Sequence, residues 1–425
     1  MSAGSWSTSP AGAHRCGMTL LETRAAPAAY RHRWIGLVAL LAAEAANLLD
    51  ATIAQIVAPV IHADLGGPLS SVKWVTSAYT LPFALLLLPG GRLGDIVGRR
   101  RVFLGGVVAF AAASLACALA PTMGLLLAAR AVQGAAAAAI VPQTVGLIKA
   151  MFRGREVTRA LGTIGPVMGL AAISGPILGG VLAHAWSWRA AFLVNLPVCL
   201  AVLLLARPLP QDRAPDRPRW YSLLEVSLLR RPAFPAALVT CGLLFALTTG
   251  LTLVVVLHAQ LAAGADTIGA ALTLLPWTLG MAAASLAAGG RLLSARPRRT
   301  LLGSLALVLC GITIAVYAYR QHPAVLPYAL AVIGVGAGLF TPSFFTTALS
   351  DLDAQQIGSA SGLLNAVQQL GATVGTMVLG GMYLRDPATV DPAFAVAASF
   401  VLGTALTTAV MVRRPAPVAS KAPWT

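Results

Sequence analysis

The chain has 425 residues, of which 57% are hydrophobic and only 10% charged, with a formal net charge of +16. So little charge excludes a soluble chain of this length, whose water-facing surface needs far more. The basic excess is confined to short segments between apolar runs, and this placement speaks against nucleic-acid binding.

In chain order, residues 1–33 lack a continuous apolar stretch and read as a cytoplasmic N-terminal tail rather than a signal peptide. Twelve apolar runs follow, at 34–61, 71–91, 101–120, 122–148, 157–183, 187–206, 234–258, 267–292, 299–319, 324–349, 355–384 and 393–412. A run of about 20 such residues spans the hydrocarbon core as a helix. Six runs fill 34–206, a proline-rich and charged cytoplasmic linker occupies 207–233, six more fill 234–412, and 413–425 is a C-terminal tail. With both termini cytoplasmic, inside segments hold 25 of the 30 Lys and Arg, while outside segments hold Lys73, Arg189, Arg320 and Arg385. That asymmetry is the positive-inside rule and predicts a multi-pass protein of the cytoplasmic membrane.

GGRL occurs at 90–93 and again at 289–292, each time after the second run of a set of six and before a basic cluster. A repeat at half the chain's length predicts two homologous bundles, hence an all-α integral membrane protein of two six-helix bundles with a transporter's site between them. A channel or an intramembrane enzyme is the competing class. No HExxH or GxSxG appears, the five cysteines show no metal or disulfide spacing, and the histidines fall in tails or near helix ends. No enzymatic activity, metal or cofactor is expected, and the chain is expected to be a monomer.

Three formal charges lie deep in the runs: Glu44, Asp50 and Arg130. At 1.5 Å per residue, Asp50 is about 24 Å in from the cytoplasmic end of helix 1 and Glu44 about 15 Å. Arg130 is about 12 Å below the outer end of helix 4, so Asp50 and Arg130 share a depth. Buried membrane charges pair and mark substrate or proton pathways. Burial favours the protonated carboxylate and a guanidinium favours the ionised one, so Asp50 is suited to loading and releasing a proton, with Arg130 tuning it. The alternative is a static ion pair between helices 1 and 4. Glu44 is a second proton site or a receptor for cationic substrate; otherwise it reaches toward cytoplasmic water.

In the loop GRLGDIVGRRR, Gly91 and Gly98 permit a tight turn, Arg99 and Arg100 anchor it at the headgroups, and Asp95 needs a partner. In SGPILGG (174–180), Gly175 and Gly179 share a helix face, Pro176 can kink the helix, and Gly180 extends the small surface. The run GMAAASLAAGG (280–290) of helix 8 offers a matching small face, so helices 5 and 8 are expected to form a dry contact. Candidate substrate contacts are Tyr79 and Gln143 from the first half, with Trp277, Phe340, Phe344, Asn365 and Gln369 from the second. A mostly apolar cavity with one or two acids suits lipophilic, neutral or cationic compounds.

These stretches resemble the major facilitator superfamily, and within it the drug:proton antiporters of the fourteen-helix type. LDATIAQIVAP (49–59) resembles that subfamily's helix 1 motif, with Asp50 at its acidic position and Gln55 in place of an asparagine. WVTSAYTL (74–81) is similar to its helix 2 pattern, and GRLGDIVGRRR (91–101) to the superfamily's loop motif, apart from Ile96. RAVQG (130–134) resembles the helix 4 motif, whose arginine is implicated in proton coupling; SGPILGG resembles the helix 5 antiporter motif, with Ala171 where a glycine is usual. WSWRAAFLVNLPV (186–198) and IGSASGLLNAVQQLGATVG (357–375) resemble the start of helix 6 and the penultimate helix. The two extra helices of the fourteen-helix type are missing, so a twelve-helix relative is expected. By resemblance, Asp95 faces the N-terminus of helix 11 near residue 355 and locks the cytoplasmic side in the outward-facing state.

The function these features predict is proton-coupled efflux of lipophilic small molecules, such as antibiotics or drugs, by alternating access. The alternative is a symporter or facilitator that imports a small metabolite; a third possibility is a sensor that binds ligand without moving it.

Overall fold

The computed structural model describes residues 32–210, 226–230, 233–288, 297–350, 352 and 354–412. Most of the expected linker, the second GGRL copy and nearly all of both tails lie outside them. The principal helices are α1 (Arg33–Leu65), α2 (Val72–Val97), α3 (Arg99–Ala118), α4 (Met123–Met151), α5 (Ile164–Ala185) and α6 (Asn195–Leu205), followed by α7 (Ala233–Leu257), α8 (Thr267–Ala288), α9 (Pro297–Arg320), α10 (Leu326–Leu349), α11 (Ala354–Tyr383) and α12 (Asp391–Met411). Among the described residues, ten helical stretches are long and apolar enough to cross a membrane. The remaining two are α6, which is short, and α11, whose sequence carries Gln, Ser and Asn.

Two expected runs are divided. The run 157–183 breaks at Thr163, leaving a short helix Arg155–Gly162 ahead of α5, and the run 187–206 breaks at Val194 between Ala190–Leu193 and α6. Local chemistry sets other boundaries. The Thr122 side chain accepts from the Leu125 N–H at 3.3 Å and caps α4. Gly98 closes α2 at φ 104°, a conformation that side chains other than glycine rarely adopt.

In each half the second helix packs on the fourth, the third on the fourth, the first on the fifth and sixth, and the third on the sixth. Lipid is as apolar as leucine, so close approach and dispersion hold such helices together. Gly134 of α4 lies against the Tyr79 backbone of α2, its built Cβ 2.9 Å from the Tyr79 carbonyl carbon. Gly334 of α10 repeats this against Trp277 of α8, also at 2.9 Å. RAVQG (130–134) therefore stands where LAVIG (330–334) stands in the second half.

The halves meet along α2–α11 and α5–α8. The face bearing Arg33 and Met411, the ends of α1 and α12, is here the terminal face; the other is the far face. At the far face Thr267 Oγ1 donates to the Gly180 carbonyl at 2.9 Å, His184 Nδ1 lies 3.2 Å from Asp266 Oδ2, and Gln260 Nε2 donates to the Ile56 carbonyl at 2.8 Å. Toward the terminal face, a cavity of about 700 Å³ separates α2 and α4 from the first turns of α11.

The expected small-face contact is corrected here. Gly280 and Ser285 of α8 turn to α10: Gly280 approaches Ala331 and Val335, and the Ser285 hydroxyl donates to the Gly338 carbonyl at 3.0 Å. The contact of α8 with α5 sits instead at its far end, where Gly180 meets Thr267, Ile268 and Ala271. Gly280 and Ser285 thus seat α8 within its own half.

Candidate functional site

A charge pair lies inside the first six helices. Asp50 of α1 and Arg130 of α4 are 1% and 0% exposed, and Arg130 Nη1 is bonded to Asp50 Oδ2. The other carboxylate oxygen, Asp50 Oδ1, accepts from Gln133 Nε2 at 2.8 Å and from Asn195 Nδ2 at 2.7 Å. Both amides also donate to Ser114 Oγ of α3, at 2.8 Å and 3.3 Å. Arg130 donates through Nε to the Val75 carbonyl at 3.1 Å and through Nη1 to Gln133 Oε1 at 2.7 Å. Its guanidinium carbon stands 4.5 Å from the Tyr79 ring centroid and 5.7 Å from that of Phe192, both within cation–π range. The Tyr79 hydroxyl donates to Asn47 Oδ1. Residues of α1, α2, α3, α4 and α6 thus gather around the Asp50–Arg130 pair, with α4 and α6 bonding the carboxylate itself.

Helical spacing explains the convergence. Asn47 and Asp50, Ser114 and Cys117, and Arg130 and Gln133 are each three apart and share a face. Isolated, a carboxylate or guanidinium costs several kcal/mol to bury; here each offsets the other's charge, and hydrogen bonds hold both carboxylate oxygens and the Nε and Nη1 of Arg130, while its Nη2 is buried without a partner among the described residues.

The structure brings Asp50, Arg130 and Tyr79 together and leaves Glu44 apart. Glu44 is half-buried on α1, lies close to Thr144 of α4, and has no ion-pair partner among the described residues. Gln133, Asn195, Ser114 and Asn47 were not anticipated. Gln133 stood within RAVQG and Asn195 within WSWRAAFLVNLPV, but neutral amides do not stand out in an apolar run as charges do.

The cavity at the terminal face is lined by Gly91, Asp95, Arg99, Gln143, Gly358 and Asn365, among others. Gln143 donates to the Gly90 carbonyl at 2.9 Å. Asp95 bonds to Arg99 Nη2 at 3.0 Å, and the cavity lies between this pair and the first turns of α11. Arg100 Nη2 donates to the Arg207 carbonyl at 3.0 Å. The other candidate contacts lie elsewhere. Trp277, Phe340 and Phe344 are buried in the core of the second half, with the two phenylalanine rings stacked at 5.9 Å, and Gln369 is not part of this lining. In SGPILGG, Gly175 lies against Thr52 and Gly179 against Ile53 of α1, Gly180 faces α8, and Pro176 is buried between them. No group of three or more metal-ligating side chains occurs among the described residues. The free cysteines Cys117, Cys199 and Cys241 are buried.

Comparison with known proteins agrees with this architecture. The Major Facilitator Superfamily model matches residues 40–376. A probable actinorhodin transporter of Streptomyces coelicolor is 36% identical over 85% of this chain and 74% of its own length. A puromycin resistance protein of Streptomyces alboniger is 32% identical over 89% of this chain and 90% of its own. Among solved structures, a bacterial homologue of the human lysosomal transporter Spinster, inward-facing and unoccupied, superposes with a TM-score of 0.67 at 17% identity, covering 90% of this chain and 95% of that one.

Proposed function

The chain belongs to the major facilitator superfamily, and from that membership we propose that this multi-pass membrane transporter is a proton-driven exporter of lipophilic small molecules such as antibiotics. Relatives named for an antibiotic transporter and for puromycin resistance support export of this substrate class. In this reading the terminal face is cytoplasmic, as the distribution of Lys and Arg supports, and the cavity between α2, α4 and α11 opens inward. Segments 34–206 and 234–412 act as the two rocking bodies.

The observation that carries the reading is the buried Asp50–Arg130 pair. Asp50 takes the proton. Arg130 cannot give one up at accessible pH, so it biases the acid instead. Protonation of Asp50 removes one charge from the buried set and leaves Arg130 uncompensated, and the cost of that imbalance drives the change of state. Asp95 and Arg99 act on the cytoplasmic side, where closing the cavity would bring Asp95 to the N-terminus of α11, whose partial positive charge stabilises it. Glu44 is a second acid for proton or cationic substrate.

The test uses inverted membrane vesicles with an energised pH gradient and a pH-sensitive dye. A panel of antibiotics and lipophilic dyes is added to wild type and to Asp50→Asn. A compound that dissipates the gradient in wild type only supports antiport through Asp50. Dissipation that persists in Asp50→Asn removes Asp50 from the proton path, and a substrate that moves with protons in the same direction makes the chain an importer.

A further inference from the structure

Two amides serve Asp50, and their surroundings differ. The Gln133 amide is fixed in orientation, because its Oε1 accepts from Arg130 Nη1 at 2.7 Å while its Nε2 forks to Asp50 Oδ1 and Ser114 Oγ. Asn195 makes the same fork through Nδ2, at 2.7 Å and 3.3 Å. Its Oδ1 accepts no hydrogen bond among the described residues, and the side chain is 2% exposed. Asn195 is therefore the amide that can turn over without breaking a bond to Arg130.

A proton arriving at Asp50 goes to Oδ1, since Oδ2 faces the guanidinium. The new O–H then points at two N–H donors and needs an acceptor. The geometry points to Asn195 as the positioning residue that reads the charge of Asp50: it donates through Nδ2 to the carboxylate and, after rotating its amide, accepts from the carboxyl through Oδ1. No covalent bond other than the one to the proton forms or breaks. Asn195 opens α6, so each rotation also redirects its hydrogen bond to Ser114 of α3 and passes the proton's presence between these helices. This inference rests on the reading of Asp50 as the proton site.

Hydrogen bonds to ionised groups are about twice as strong as neutral ones. Loss of Asn195 therefore falls mainly on the ionised carboxylate and moves its protonation midpoint upward, by about one pH unit. The test needs no transported ligand. Purified full-length protein in nanodiscs is titrated by infrared difference spectroscopy, and the carboxyl band absent from Asp50→Asn is assigned to Asp50. Asn195→Leu keeps similar volume without polar atoms, and Asn195→Ala empties the site. Both are expected to move the midpoint upward by a similar amount and to shift the band toward that of a carboxyl without an acceptor. A residue that only fills space gives another pattern: Asn195→Leu retains the wild-type midpoint and band, and Asn195→Ala loses thermal stability alone. That pattern overturns the inference while leaving Asp50 as proton site. If wild type shows no Asp50 band at any pH, Asp50 does not take a proton, and the inference falls together with the proton path under it.

Discussion

Thr80 on α2 and Thr373 on α11 touch through their hydroxyls, Oγ1 to Oγ1 at 2.7 Å, across the boundary between the two halves. Both are buried, and Thr373 also donates back to the Gln369 carbonyl at 2.9 Å. One neutral hydrogen bond of this kind contributes about 1 kcal/mol.

Thr80→Val removes this bond and keeps the side chain's shape. Opening at the far face should become favoured by about fivefold, the factor that corresponds to roughly 1 kcal/mol. Spin-label distances across the far ends of α5 and α8 measure it directly, and an unchanged distribution would mean the bond also persists in the other state.

Lys73 Cβ lies 3.7 Å from the Cβ built on Gly380, within the span a disulfide requires, about 3.5–4.5 Å. The double variant Lys73→Cys/Gly380→Cys should cross-link on oxidation, hold the far face closed and stop transport. Reductant should restore it. Free transport in fully cross-linked protein would show that α2 and α11 do not separate there.

Arg130→Lys keeps the charge but loses the fork that reaches Asp50, Gln133 and the Val75 carbonyl together. Each lost bond to a charged group costs about 1.5–3 kcal/mol, so transport should fall by at least tenfold. Vesicle assays at matched protein levels check this, and near-normal coupling in the variant would reduce the arginine to a structural tie.

Gly134→Ala puts a methyl group into the Tyr79 backbone, where the carbonyl carbon is 2.9 Å from the added carbon. Backbone cannot step aside as a flexible side chain does. A loss of about 1–3 kcal/mol is expected, with disturbed Arg130 geometry because α2 and α4 must part. Thermal melting in detergent reads the stability, and Gly124→Ala, whose added carbon has nothing within 4 Å, is the matched control.

The deep charges were legible because a charge inside an apolar run is conspicuous, and helical rise alone placed Asp50 and Arg130 at one depth. Their contact is supplied by the structure. Asn195 and Ser114 were not legible, since nothing in hydropathy separates a polar core residue from a tolerated one. The helix 5–helix 8 contact was read from small residues on both helices. Small residues, however, serve packing within a half as readily as between halves, as Gly280 and Ser285 do against α10. Which face stands open depends on a balance of weak contacts such as Thr80–Thr373, for which sequence carries no signature.

The substitution of RAVQG by LAVIG has a consequence for how such a protein diverges. At Leu330 and Ile333, fully buried counterparts of Arg130 and Gln133, the second half has no charge to hold in register. An apolar site tolerates exchange of one shape for another at small cost, whereas a buried polar network tolerates little. Changes that accommodate a new cargo should therefore accumulate among α7 to α12, while the buried polar network around Asp50 and Arg130 in α1 to α6 stays as it is.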